Sequence, residues 1–217
     1  AIIIIIRSVD NVKKKYKKII AVLVIILVLV FGAFAYYKFF KSKPVDMPIK
    51  EVKVTNTIEN YGYNLEDRDT ALYKEKYEKL KDILSQEEYD KDEYIKTISE
   101  MFIIDLFTID NKISRYDVGG VEFMYSKAQA SFKASVENSL YKTVENDLED
   151  NRTQQLPVVS SIEVTNYETT TYEMPDKTIV DGYKVNLSWQ YEKDLGYDDT
   201  GVLIVIPDDN KMGVAFY

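Results

Sequence analysis

Two residue types are missing altogether: the 217-residue chain has no cysteine and no histidine. Without cysteine there are no disulfides, no thiolate nucleophile, no zinc–thiolate or iron–sulfur centre and no lipidated-cysteine anchor. Without histidine the commonest general base and the commonest metal ligand are gone. Tryptophan occurs once, yet 18 Tyr and 9 Phe make the chain rich in aromatics, and a hydrophobic fraction of 46% excludes global disorder.

Charge is absent from one long stretch. Residues 19–37, with Ile19 and Tyr37 at its ends, run uncharged between Lys18 and Lys38. As a helix these residues would extend roughly 28 Å, close to the hydrocarbon thickness of a bilayer. IIAVLVIILVLVFGAF is apolar all round, without the polar face of a soluble helix. Tyr36, Tyr37, Phe39 and Phe40 stand where an interfacial aromatic belt is expected. Ala33-Phe34-Ala35 resembles a signal-peptidase site, but the apolar run is longer than a signal core. The expectation is a transmembrane helix over residues 19–40, with residues 1–18 as a basic tail and 41–48, containing Pro44 and Pro48, as a stiff linker.

Six basic residues precede the span (Arg7, Lys13, Lys14, Lys15, Lys17, Lys18) and three follow closely (Lys38, Lys41, Lys43). The positive-inside rule then keeps the N-terminus in the cytoplasm and puts residues 49–217 outside, in a single-pass membrane protein. Of 28 basic and 36 acidic residues, nine basic and one acidic lie in residues 1–43. The rest holds 19 basic and 35 acidic residues, a net charge of −16 that disfavours nucleic acid as a partner.

The outer segment is long enough for one domain. Tyr73, Tyr77, Leu80 and Leu84 share a helical face over about residues 69–85, and Tyr94, Ile98, Met101, Phe102, Asp105, Leu106 and Ile109 share one over 92–110. A third helix is expected from Ser126, with Ser126 and Gln129 as a capping box and Phe132, Val136, Leu140, Val144 and Leu148 stepping by four. Ile49, Val52, Val54 and Ile58 suggest a short strand or an extended lead-in, NYGYNLEDRDT reads as turn, and VEFMY suggests another short strand. After Pro157 the pattern turns to sheet. Tyr183, Val185, Leu187, Trp189 and Tyr191 alternate with polar residues, GVLIVIP is more fully apolar and central, and MGVAFY closes the chain. Helices before an antiparallel meander give an α+β domain of about three helices on about four strands.

Catalytic constellations are sparse. Glu87-Glu88 and most other acids belong to solvated faces. Asp105 sits on an apolar face, where a cap or an ion pair explains it. A calcium loop starting at Asp110 fails, because its sixth and twelfth positions are Arg115 and Val121. Asp194, Asp198 and Asp199 read as a hairpin turn, and Gly119-Gly120 lacks the pattern of a phosphate loop. The sequence thus leads to no catalytic residue, no metal ligand and no cofactor, and to a protein that is not an enzyme. Phe102, Trp189 and Tyr191 are the candidates for a cavity wall.

One span, then helices, then a closing sheet, with the blocks FIIDLFTIDNKISRYDVGGVEF and YKVNLSWQYEKDLGY, resembles the bitopic assembly subunits of type IV secretion and conjugation machines. The resemblance implies a cone-shaped, nuclear-transport-factor-two-like outer domain and a non-enzymatic scaffold role in a cell-envelope complex. Its partners would be other membrane or envelope proteins, the bilayer and a possible second copy of the chain. The alternative is a membrane-tethered ligand-binding or sensing module with an apolar cavity.

Overall fold

The computed structural model describes residues 50–216. The expected tail, membrane helix and linker, including Ile19 and Tyr37, lie outside the described residues. Among the described residues no helix is long and apolar enough to cross a membrane.

Strands β1 (Val54–Ile58) and β2 (Tyr63–Glu66) form an antiparallel hairpin. The extended lead-in is therefore a strand, and the turn-rich stretch after it contains that strand's partner. Helix α1 (Ala71–Leu84) follows, started by the Thr70 side chain accepting from the Tyr73 amide at 3.2 Å. It buries Tyr73, Tyr77, Leu80 and Ile83 and leaves its lysines and glutamates in solvent, except Lys76, which pairs with Glu100 of the following helix at 2.7 Å. Helix α2 (Lys91–Phe107) is capped by Asp90, whose carboxylate accepts from the Asp92 and Glu93 amides. It is buried on nearly every side past its first turn, from Tyr94 to Leu106, and forms the centre of the domain.

Two sequence expectations are corrected between α2 and the sheet. VEFMY is not a strand: Val121–Phe123 is a turn of 3-10 helix, and only Met124 makes a β-bridge, to Val214. Helix α3 (Gln129–Asn138) is also shorter than the apolar spacing suggests. No capping box starts it. The Ser126 hydroxyl and amide both donate to the Asp208 carboxylate, at 2.7 and 2.9 Å, and Gln129 donates to the Met124 carbonyl. Past Asn138 the chain continues in turns that bury Tyr141 and Val144, while Leu140 is half-buried and Leu148 exposed, so burial stops following the spacing of four where the helix ends.

Strands β3 (Val159–Glu173), β4 (Ile179–Tyr191), β5 (Thr200–Asp208) and β6 (Lys211–Phe216) form an antiparallel meander in sequence order. This confirms the α+β class, with three α-helices and a four-stranded sheet among the described residues. Ile162 pairs with Trp189, Val164 with Leu187 and Tyr167 with Val185. A bulge between Val164 and Asn166 inserts one residue into β3, so that Tyr167 and not Asn166 continues the inward face. Val185, Leu187 and Trp189 are buried in one cluster with Phe102, Phe132 and Val136, while Gln190 is exposed and Asn186 and Ser188 are half-exposed. Residues 179–182 of β4 take ladder partners from β3 alone, yet Gly182 is still buried against Val205 and Ile206 of β5, and Ile179 beyond it is strongly exposed.

Candidate functional site

The three residues expected to line a cavity are all placed, but they do not line one cavity. Phe102 is fully buried against Phe132, with ring centroids 5.7 Å apart. Trp189 packs on Phe107 at 5.0 Å and donates its indole N–H to the Tyr191 hydroxyl at 2.8 Å. That hydroxyl donates onward to the Asp198 carbonyl at 2.6 Å, tying the β4–β5 turn to the strand. Trp189 alone of the three borders an apolar groove of about 290 Å³, with Leu106, Phe107, Val136, Leu140 and Leu203. The inward face of the sheet is otherwise filled by side chains.

A second cavity, of about 420 Å³, is polar and lies where the β1–β2 hairpin, α1, α2, the loop over residues 112–122, α3 and β6 meet. Its construction starts from Asp105 on α2. The Lys112 ammonium lies 2.5 Å from one oxygen of this carboxylate, and the Gly120 amide donates to the other at 2.6 Å. Lys112 is only 2% exposed, so its charge is tolerable there only with a partner. Glycine is required at 119, because a Cβ there would lie 2.1 Å from the Asp105 carbonyl oxygen. Gly120 has φ +79°, a left-handed conformation that other residues rarely adopt. The Gly-Gly pair thus lets the loop cross α2 in contact with its backbone.

Beside this pair, Arg68 donates to Asp117 through both terminal nitrogens and to Glu66 through Nε. Burial pushes the Asp117 carboxyl up, but Arg68, with the Ile113 amide and Lys112, more than offsets it, and the group stays below the usual carboxylate range. The remaining two acids behave in the opposite way. Burial first, and then the charge of Asp105, raises Glu122 to about 7. Burial and Asp105 likewise raise Asp69 to about 6, against the pull of the Glu66 amide. Glu122 is held by neutral donors only: the Asn64 amide and side chain at 3.0–3.3 Å and the Tyr73 hydroxyl at 3.2 Å. The arrangement holds two protonatable carboxyls at near-neutral pH inside a walled, solvent-reachable space.

Sequence reasoning found Asp105 and left it as a cap or an ion-pair partner; it pairs with Lys112. It missed Asp69 and Lys211, which sit in charge-rich stretches that read as surface, and Lys112 and Glu122, which stand singly in loop sequence with no period to mark them as buried. Asp194 accepts from the Gly196 amide at 3.0 Å, as a hairpin turn does, and Glu87 and Glu88 are exposed. Among the described residues no group of three acidic side chains converges as metal ligands. No family model, no curated protein and no solved structure matches this chain.

Proposed function

We propose that the chain is a membrane-anchored, non-enzymatic assembly subunit of a cell-envelope complex, of the kind found in conjugation and type IV secretion machines, with residues 49–217 as its extracytoplasmic domain. One observation carries this reading. The inward face of the sheet, which a ligand-binding cone would leave open, is closed by Val185, Leu187 and Trp189 packed with Phe102, Phe107 and Phe132. A domain with a filled interior acts through its surface. The surface here offers Ile179, 68% exposed just after the β3–β4 turn, and β3 as a long edge strand. The apolar run of residues 19–37 and the basic residues before it support anchorage with the N-terminus inside. The test is affinity purification of the full chain from membranes in a mild detergent. Membrane partners should co-purify in stoichiometric amounts, and Ile179→Asp should reduce their yield. A protein that emerges as a monomer with nothing bound refutes the assembly role.

The Trp189 groove favours a second reading, a tethered module that senses a small apolar ligand. Trp189 is the only tryptophan, so its fluorescence reports occupancy of that groove directly.

A further inference from the structure

The polar cleft is unbalanced in a particular way. Glu66 and Asp117 are matched by Arg68, and Asp105 by Lys112. Asp69 and Glu122 border the same cavity, and among the described residues neither forms an ion pair. Asp69 accepts one amide, that of Glu66 at 2.7 Å, and has an oxygen left over. Lys211, the remaining cation of the cleft, donates to the carbonyls of Tyr61 and Glu122 and lies over the Tyr63 ring, and so neutralises neither acid.

A carboxylate withdrawn from water is stabilised by a cation or is held protonated. We propose that the cleft binds an organic cation through a primary ammonium head that the carboxyl groups of Asp69 and Glu122, which line the same cavity, draw in. An ammonium has three N–H donors: the spare Asp69 oxygen accepts one, and the Glu122 oxygens, which now accept from Asn64 and Tyr73 at 3.0–3.3 Å, exchange these long neutral bonds for shorter charge-assisted ones. A bare divalent ion finds no such welcome, since no three acids converge on one point among the described residues. The volume of about 420 Å³ accepts a short alkyl tail, and Val118 and Val121 offer it apolar wall. The walls are braced before the ligand arrives by the Arg68–Asp117 and Asp105–Lys112 pairs, which lowers the cost of ordering a site. Such a site goes beyond the assembly reading and does not depend on it.

The experiment is calorimetric titration of the full chain, in detergent, with 1,4-diaminobutane near neutral pH. Saturable one-to-one binding is expected. Tetramethylammonium carries the same charge with no N–H donor and should bind about tenfold more weakly or worse. Glu122→Gln and Asp69→Asn should each weaken diaminobutane by about tenfold, and Glu88→Gln, on the exposed surface, should leave it unchanged. If Asp69→Asn fails to fold, Glu122→Gln decides alone, because the amide is isosteric with the protonated acid. Absence of saturable binding, equal binding of tetramethylammonium, or wild-type affinity in Glu122→Gln each overturns the proposal.

Discussion

Helix α2 borders two interiors built on different rules. Towards the sheet it presents Phe102, Ile103, Leu106 and Phe107 to an apolar core that includes Leu187, Trp189 and Val136. Towards the 112–122 loop it presents Asp105 to a cleft of ion pairs. The apolar interior is specified redundantly. Any residue of suitable size and hydrophobicity contributes, burial of one large side chain stabilises by about 1.5–3 kcal/mol, and no single contact is indispensable. The polar interior is specified pair by pair. Removing one partner leaves a buried charge uncompensated, and the gain from forming the pair is smaller than the loss from breaking it. The first region therefore resists substitution of like for like, and the second depends on individual atoms and on pH.

The sharpest way to break this contrast is to place a charge in the apolar region. Leu187 lies on the inward face of β4 and is 2% exposed. Leu187→Asp buries a carboxylate with no cation beside it, costs several kcal/mol and should leave the domain unfolded at room temperature. Ser188, one residue on, faces the other side opposite Glu163 and Thr200. Ser188→Asp meets only a like charge across the strand and should cost under about 1 kcal/mol. Thermal melts of the two variants beside the wild type decide it. Equal melting temperatures would mean that the two faces of β4 are not as different as the packing requires.

A smaller loss is expected from Lys112→Ala in the cleft. It strands the Asp105 carboxylate beside Asp69 and Glu122, and removal of one partner from a buried pair costs about 3–5 kcal/mol. Urea unfolding near pH 7.5 measures this cost. A Lys112→Ala variant as stable as the wild type would show the cleft to be open water, and the contrast would fall.

The same contrast explains what was legible in the sequence. The helices and the meander announce themselves by period: Tyr73, Tyr77 and Leu80 on α1, and Val185, Leu187 and Trp189 on β4, are apolar because one face of each element is dry. Period misleads only where turns mimic it. Leu140 and Val144 continue the spacing of α3, but Tyr141 drives its ring into the core and bonds the Leu106 carbonyl at 2.7 Å, and this anchor holds the chain in turns. The β1–β2 hairpin was hidden because its second strand, Tyr63–Glu66, is four residues long inside a polar stretch. The cleft was illegible for a different reason. Asn64, Asp69, Asp105, Lys112, Glu122 and Lys211 come from segments up to about 150 residues apart, and nothing local distinguishes a buried Lys112 from the solvated lysines of α1. Only Asp105, an acid on an apolar helix face, and Gly119-Gly120 marked the place.

The smallest of the expected effects is also the most specific. Glu122 has its folded-state value raised from 4.5 to about 7, and Asp69 from 3.8 to about 6. A carboxyl whose value is raised on folding holds its proton more tightly in the native state than in the unfolded chain. Its contribution to stability is therefore present at low pH, is lost as pH rises through the folded value, and is absent above it. Asp117 and Asp147 are lowered on folding, so their contributions disappear only as pH falls below the ordinary carboxylate range, outside the interval from 5 to 8. Within that interval Glu122 and Asp69 set the slope, and the protein should be more stable at pH 5.5 than at pH 8. Glu122 alone accounts for about 2–3 kcal/mol at 1.36 kcal/mol per unit. Glu122→Gln removes its part, leaving the smaller slope of Asp69, which levels off as pH rises past about 6. Urea melts across this range for wild type and variant check both statements. A flat wild-type profile, or a Glu122→Gln variant that keeps the full slope, would mean that Glu122 is solvated like any surface acid, and the cleft would then differ from the apolar core in composition but not in how it depends on its surroundings.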